Sequence, residues 1–470
     1  MSGSVSAALG RYAAALSYED IPEPVRAHVR LLVLDTLMCG ALGGTSSPEV
    51  GLLTATLARS EPGGPATGWV TGAALSPASA ALVNATAVHA FELDDIAIGQ
   101  HYGASVLPPA LAVAPLAGGL SGRDLVTAIV AGCEVAARIQ RAVGRTPHAE
   151  VGFHGPSLIA TFAAAVAAGR ALRLDAAGLA HAIGHAAQQA SGIMATQHGG
   201  MGKRLLAGIA ARNGTFAALL AAEGFTSGTD MLERPYGGFF PVVSGGAATW
   251  DAARALDVPE GWWATVETRF KFWACRFPIH PALEGLRDLR DREGLDPADV
   301  ERVEVELDPA AYKAVGFPWQ ATSTASAQMN LRVCVASYLL DGDVFLPQFR
   351  PDALARPELL DLVGRVEPVE SSGGELFKRE SPVRVRLRSG RELSALGRVR
   401  GGADDPQTPA LVVAKAERVA RAIGRDRDFV ETLGWRQLDE VDAEALSRAM
   451  ALSHELASSH RTGPTERGTR

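Results

Sequence analysis

Near Ala264 the chain changes its repeat, and that change limits the possible folds more than any other feature. Before it, from Ser6 to about Gly224, apolar residues recur at three- and four-residue intervals. "SAALGRYAAAL", "PEPVRAHVRLLVLDTLMCGAL" and "SPASAALVNATAVHAF" are examples, and this spacing lines one face of a helix. After it, "VERVEVEL" (Val300–Leu307) and "SPVRVRLRSGREL" (Ser381–Leu393) alternate apolar and charged residues. Period two marks strands with one wet face, the second stretch turning at Ser-Gly. Helical spacing returns in "QMNLRVCVASYLLDGD" and again from "PQTPALVVAKAERVARAIG" to about Leu456. The pattern predicts a mainly α protein. An all-α domain, residues 1–264 and 404–458, is interrupted by an α+β insert, 265–403. The polar tail 459–470 is expected to be disordered.

Several helical stretches are alanine-rich all round, which suits closely packed helices in a large bundle. Pro22 and Pro24 mark a helix start and Gly43-Gly44 a stop. The formal charge of −7 argues against nucleic acid, which needs a basic face, and against anionic lipid. The first 25 residues lack the basic and apolar regions of a signal peptide. The apolar runs at 105–119 and 157–172 are interrupted by Pro108, Pro109, Pro115 and Arg170. Both fall short of the roughly 20 residues that a membrane span needs. Cys39, Cys133, Cys275 and Cys334 have no C-x-x-C spacing, as expected of reduced thiols in a cytosolic protein.

Of 45 basic residues only Lys203, Lys271, Lys313, Lys378 and Lys415 are lysine. A lysine kept on such a background suits a site that needs a compact, tunable amine. Lys378 and Lys415, in charged surroundings, read as surface residues. Lys203 lies in "HGGMGKRLLAGIAARNG", which is not a P-loop: Gln197 stands where the first glycine belongs, and Arg204 where the hydroxyl belongs. "HAFELDDIAIGQHYGAS" gathers His89, Glu92, Asp94, Asp95 and His101 among apolar residues. His154 sits between glycines before a helix led by Pro156, and Lys271, Arg276 and His280 lie among aromatics. No H-E-x-x-H, Cys/His cluster or EF-hand loop occurs, so no metal is expected. Adjacent Asp94 and Asp95 would diverge by about 100° on a helix. No G-x-S-x-G elbow and no strand-borne G-x-G-x-x-G is present, so neither a serine hydrolase nor a nicotinamide cofactor is implied.

In order and spacing, "YEDIPEPVRAHVRLLVLDTLMCGALGG", "VHAFELDD", "HYGAS", "GFHGPSLIATFAAA", "GMGKRLLAGIAARNGTFAALLAAEGFTSG", "FKFWACRFPIHPA", "ASYLLDGD" and "RGGADDPQTP" resemble the MmgE/PrpD family. That family includes 2-methylcitrate dehydratase, cis-aconitate decarboxylase and iminodisuccinate epimerase. The resemblance implies a helical domain with an inserted lid, a homodimer, no cofactor, and a small di- or tricarboxylate as substrate. It places catalysis on His101, His154, Lys203, Lys271 and Asp95, with Glu92, Arg276, Gln197 and His198 at the substrate. Glu92 or Asp95 would orient a histidine. Glu92 stands where the family pattern has aspartate, Ile96 where threonine is common, Arg276 for a histidine and Val333 for a tyrosine. The expected reaction is dehydration of a β-hydroxy carboxylate, as in 2-methylcitrate dehydratase. The same acid/base pair would also serve an epimerase or a decarboxylase, and a carboxylate-binding member without turnover is the remaining alternative.

Overall fold

The computed structural model describes residues 3–97, 100–144, 150–198, 200–246, 249–320, 323–373 and 379–458. The predicted tail 459–470 and Lys378 lie outside them, as do the side chains of Gln197 and His198. Of the described residues, 61% are helical and 9% are in strands.

The first half is a helical body: α1 (Val5–Ala15), α2 (Glu23–Ser46), α3 (Pro48–Ser60), α4 (Pro77–His89), α5 (Tyr102–Val113), α6 (Gly122–Val143), α7 (Gly155–Ala171), α8 (Ala176–Gln189) and α9 (Gly202–Ala222), with the short α10 (Phe239–Val243) after it. A two-residue pairing of β1 (Ala66–Thr67) with β2 (Ala74–Leu75) precedes α4. Helix α2 runs through Gly43-Gly44 to Ser46, so the expected stop is not one. Gly43 instead lies so close to α4 that a Cβ there would meet the Ala87 carbonyl. Helix α5 likewise continues through Pro108 and Pro109. Each proline removes an internal hydrogen bond at a cost of about 3 kcal/mol, but every residue of α5 is buried and packing holds it.

Helix α9 is long and apolar enough to cross a membrane by length and composition, yet it packs against α4, α7 and α8. A Cβ at Gly208 would lie 2.5 Å from the Leu82 carbonyl oxygen on α4, and one at Gly214 would lie 2.4 Å from that of Thr161 on α7. Glycine and alanine there let the axes close up. Helix directions follow from three contacts. Ser157 at the start of α7 bonds the Ser191 carbonyl just past the end of α8, so α7 and α8 are antiparallel. The Gln189 carbonyl, also at the end of α8, meets Asn213 in α9, while His185 meets Phe225 beyond α9, so α8 and α9 are antiparallel as well. Helices α7 and α9 therefore start at the same end of the body, and α4 ends there.

Beyond α11 (His280–Glu293) come β3 (Val300–Leu307), α12 (Pro309–Val315), α13 (Thr324–Gln328), α14 (Leu331–Asp341), α15 (Pro351–Leu354), α16 (Pro357–Arg365), β4 (Val366–Glu370), β5 (Glu380–Leu387) and β6 (Glu392–Arg398). The sheet order is β4-β3-β5-β6, with β3/β4 parallel and the other pairs antiparallel. The alternation in "VERVEVEL" buries Val303, Val305 and Leu307, while Arg384 and Arg386 pair with Glu304 and Glu301. Strand β4 escapes the sequence pattern because Pro368 interrupts it, and a proline is tolerated on such an edge. Helices α17 (Thr408–Ala422), α18 (Asp428–Thr432) and α19 (Ala443–Ser458) follow, and α17 packs on α2.

Candidate active site

Helix α4 stops at His89, and residues 90–95 cross irregularly towards α5. Within this turn Glu92 has φ of +54°, a left-handed conformation that costs a non-glycine residue about 1–2 kcal/mol. Strain of this size is retained where surrounding contacts enforce it. Here Lys203, at the start of α9, lies 2.5 Å from Glu92 Oε1, and Lys271 Nζ lies 3.7 Å from Oε2.

Asp94 is the hub. Its Oδ2 lies 3.0 Å from His89 Nδ1 and 3.1 Å from His101 Nδ1, and its Oδ1 lies 3.4 Å from Lys271 Nζ. Lys203 Nζ also reaches His89 Nε2 at 2.7 Å, and the two imidazoles meet edge-on with centroids 4.4 Å apart. All of these side chains are buried. Asp95, expected to be catalytic and a possible orienter of histidine, has another position. Its carboxylate accepts the Tyr102 and Gly103 amides at 2.8 and 2.9 Å and so caps α5. Only its carbonyl touches an imidazole, accepting from His101 Nδ1 at 2.7 Å. The carboxylate that both imidazoles share is that of Asp94. The geometric premise for separating the two acids also fails, since the segment is not helical.

These contacts set tautomers. A carbonyl only accepts, so His101 carries hydrogen on Nδ1 and Nε2 keeps its lone pair when the ring is neutral. Burial, with His89 adding to it, pushes His101 below its ordinary value against the pull of Asp94. Burial would raise Asp94 and Glu92, but it is outweighed. His101, His89 and Lys271 hold Asp94 well below the usual carboxylate range, and Lys203, His89 and Lys271 do the same for Glu92. Burial depresses the Lys203 ammonium, opposed by Glu92 and aided by Arg204 and Arg276. Burial beside Asp94 and Asp35 drives Asp95 well above the usual range.

His154 is the N-cap of α7. Its Nδ1 accepts the Ser157 amide at 3.3 Å, leaving hydrogen on Nε2. It shares the end of the body at which α9 starts with Lys203. Arg276 sits in the lid loop, its amide on the Gln328 carbonyl and its guanidinium on that of Ala314. Sequence reasoning did not assign His89, Arg204 or Gln328 to the site. His89 was legible as a member of the polar cluster; Gln328 carried no signal. Lys415, expected on the surface, is buried, 2.5 Å from both Asp35 Oδ1 and the Leu93 carbonyl oxygen.

Donor atoms of His89, Asp94 and His101 lie within 4.8 Å of one another, a spacing that a metal ion can bridge. Their chemistry here is that of a hydrogen-bond network. One Asp94 oxygen already serves both Nδ1 atoms, and two lysine ammonium groups supply the positive charge that an ion would bring.

A buried knot of carboxylates, imidazoles and ammonium groups, set between a helical body and an α+β insert, suits an enzyme that acts on carboxylates. Residues 7–250 match the MmgE/PrpD N-terminal domain and residues 273–433 the MmgE/PrpD C-terminal domain. The chain belongs to the MmgE/PrpD family. It is 31% identical over 386 residues, 78% of each chain, to cis-aconitate decarboxylase of Aspergillus terreus. It is 31% identical over 388 residues to the cis-aconitate decarboxylase-like protein oryM of Aspergillus oryzae, covering 79% of this chain and 80% of the relative. To human cis-aconitate decarboxylase it is 28% identical over 308 residues, 62% of this chain and 61% of the relative. The protein is an enzyme, a carboxylate-acting lyase of the MmgE/PrpD type.

Proposed function

We propose that this enzyme releases carbon dioxide from a small unsaturated tricarboxylate of the cis-aconitate kind. The choice of decarboxylation over the dehydration first expected rests on the relatives, which match over most of the chain and are cis-aconitate decarboxylases by name. The carrying observation in the site is the pair of ammonium groups, Lys203 and Lys271, gathered on Glu92 and Asp94 beside the imidazoles of His89 and His101.

A carboxylate one carbon from a C=C bond can lose carbon dioxide with an allylic shift. The C–C bond to the leaving group breaks and its electron pair forms a new C=C bond. The old π pair then moves to the far carbon, where a proton is added. When that carbon bears a carboxylate, the passing charge spreads into an enediolate, which fixed cations stabilise. Lys203 and Lys271 take that task. His154 delivers the proton from Nε2, and the bare Nε2 of His101 is the acceptor that a dehydration or epimerisation would use.

Incubating the enzyme with cis-aconitate in D₂O and following products by NMR tests the reading. The expected outcome is carbon dioxide and an unsaturated dicarboxylate carrying one solvent deuterium on the former vinylic carbon. Water loss from 2-methylcitrate, with no carbon dioxide from any unsaturated acid, would restore the dehydratase instead.

A further inference from the structure

Lys203 has a neighbour whose geometry the reaction above does not use. Arg204 follows it in the first turn of α9 and is 3% exposed. Successive helical residues point about 100° apart. Lys203 therefore turns to the acid cluster of the body, and Arg204 turns to the lid, where Nη2 donates to Gln328 Oε1. Its Nη1 is buried with no hydrogen-bond partner among the described residues. A desolvated guanidinium edge left unpaired is costly. A bound carboxylate is the natural complement of such an edge, because a guanidinium presents parallel N–H groups to two oxygens.

Gln328 explains how the edge is aimed. It is fully buried, and its Nε2 donates to the Phe91 and Ala274 carbonyls, both at 2.8 Å. Two carbonyl acceptors fix which end of the amide is nitrogen, so Oε1 must face Arg204. Phe91 precedes Glu92, and Ala274 lies three residues after Lys271. One side chain thus ties the acidic turn, the lysine loop of the lid and Arg204 together. Burial lowers Arg204 from its ordinary value, while Glu92, Glu49 and Asp94 support its charge.

We propose that Arg204 binds a substrate carboxylate that does not react, through its unpartnered Nη1 edge, and that Gln328 is the positioning residue that aims it across the seam between body and lid. This deepens the reading given above and rests on it for the class of ligand. It makes the enzyme selective for acids bearing a further carboxylate beyond those held by Lys203 and Lys271.

The test separates binding from chemistry by using the saturated, unreactive propane-1,2,3-tricarboxylate, with glutarate as the analogue lacking one carboxylate. Calorimetry on the full-length enzyme is expected to show Arg204→Gln binding the tricarboxylate about 30- to 100-fold more weakly, with glutarate changed by less than about threefold. Arg204→Lys keeps the charge without the fork. It should fall between the two and guards against a variant that does not fold. Gln328→Glu, which sets a competing anion against the guanidinium, should weaken tricarboxylate binding by at least as much as Arg204→Lys while glutarate stays within about threefold, a split that mere loosening of the fold would not give. Equal affinity of wild type and both Arg204 variants for the tricarboxylate overturns the proposal. So does a fall in kcat with KM unchanged, which would put Arg204 in the chemistry. If wild type turns over no unsaturated acid but still binds the tricarboxylate through Arg204, the decarboxylase reading fails and this one stands.

Discussion

Two lysine–carboxylate pairs lie buried in this protein at the same 2.5 Å separation, Lys203 with Glu92 and Lys415 with Asp35, and they behave oppositely. Burial lowers Lys203, with Glu92 resisting and Arg204 and Arg276 adding repulsion. Lys415 meets the same burial, yet Asp35 and Cys39 lift it above its ordinary value. One ammonium is crowded by other cations and shares its carboxylate with His89 and Lys271. The other has Asp35 and a carbonyl oxygen. A pair with competitors is poised to exchange partners for a substrate; a pair without them is a clamp, here fastening α17 to α2 and to the backbone between Glu92 and Asp94.

Substitution of each lysine by methionine should therefore break different properties. Lys203→Met is expected to lower kcat/KM by about 10³ or more, with little change in melting temperature, because Glu92 keeps His89 and Lys271. Lys415→Met leaves Asp35 buried and unpaired and should cost about 3–5 kcal/mol in chemical denaturation. Acidification should return part of that loss by protonating Asp35, which burial already raises. Adding Asp35→Leu should return most of it. If the two variants lose stability equally, the distinction between poised pair and clamp is gone.

Next in size is His154→Gln. Loss of a positioned acid is worth about 10² to 10⁴ in rate, and this change should appear in turnover with binding of an unreactive tricarboxylate intact. Near wild-type turnover would remove His154 from the chemistry.

What the sequence made legible divides along the same line. Period three-to-four and period two told helices from strands because burial acts on whole helix and strand faces. The polar cluster stood out because acids and histidines are rare among apolar neighbours. The role of Asp94 against Asp95 was not readable. It depends on where α4 ends and on the backbone turn at Glu92, and tertiary contacts decide both. Lys415 was misread for a related reason, since its partner Asp35 lies far off in sequence. Gln328 is an ordinary glutamine until three distant groups converge on it.

A second clamp on α2 responds to pH and offers a smaller effect. His28 lies two helical turns before Asp35, its Nε2 3.1 Å from the Thr268 carbonyl oxygen, where the chain crosses towards the lid. Burial lowers it from 6.5 to about 4. Unfolded chain binds its proton first, so this contribution is complete above pH 6.5 and fades as pH falls towards 4. The shift corresponds to about 3 kcal/mol. His28→Gln should flatten the fall of denaturation midpoint between those limits, and an unchanged slope would assign acid sensitivity elsewhere.

The smallest effect sharpens the comparison most, because it alters one pair by a single methylene. Glu92→Asp installs the shorter acid that the family pattern carries. Aspartate tolerates the left-handed backbone better than glutamate, so the variant should be as stable as wild type or slightly more so. Its carboxylate, however, retreats from both Lys203 and Lys271, and losing good geometry on one charged hydrogen bond is worth about 1.5–3 kcal/mol. Stability held or gained with catalytic efficiency down about tenfold would mean that the strain at Glu92 is kept for the reach of its side chain. Stability and efficiency falling together would make this pair a clamp like Lys415 and Asp35.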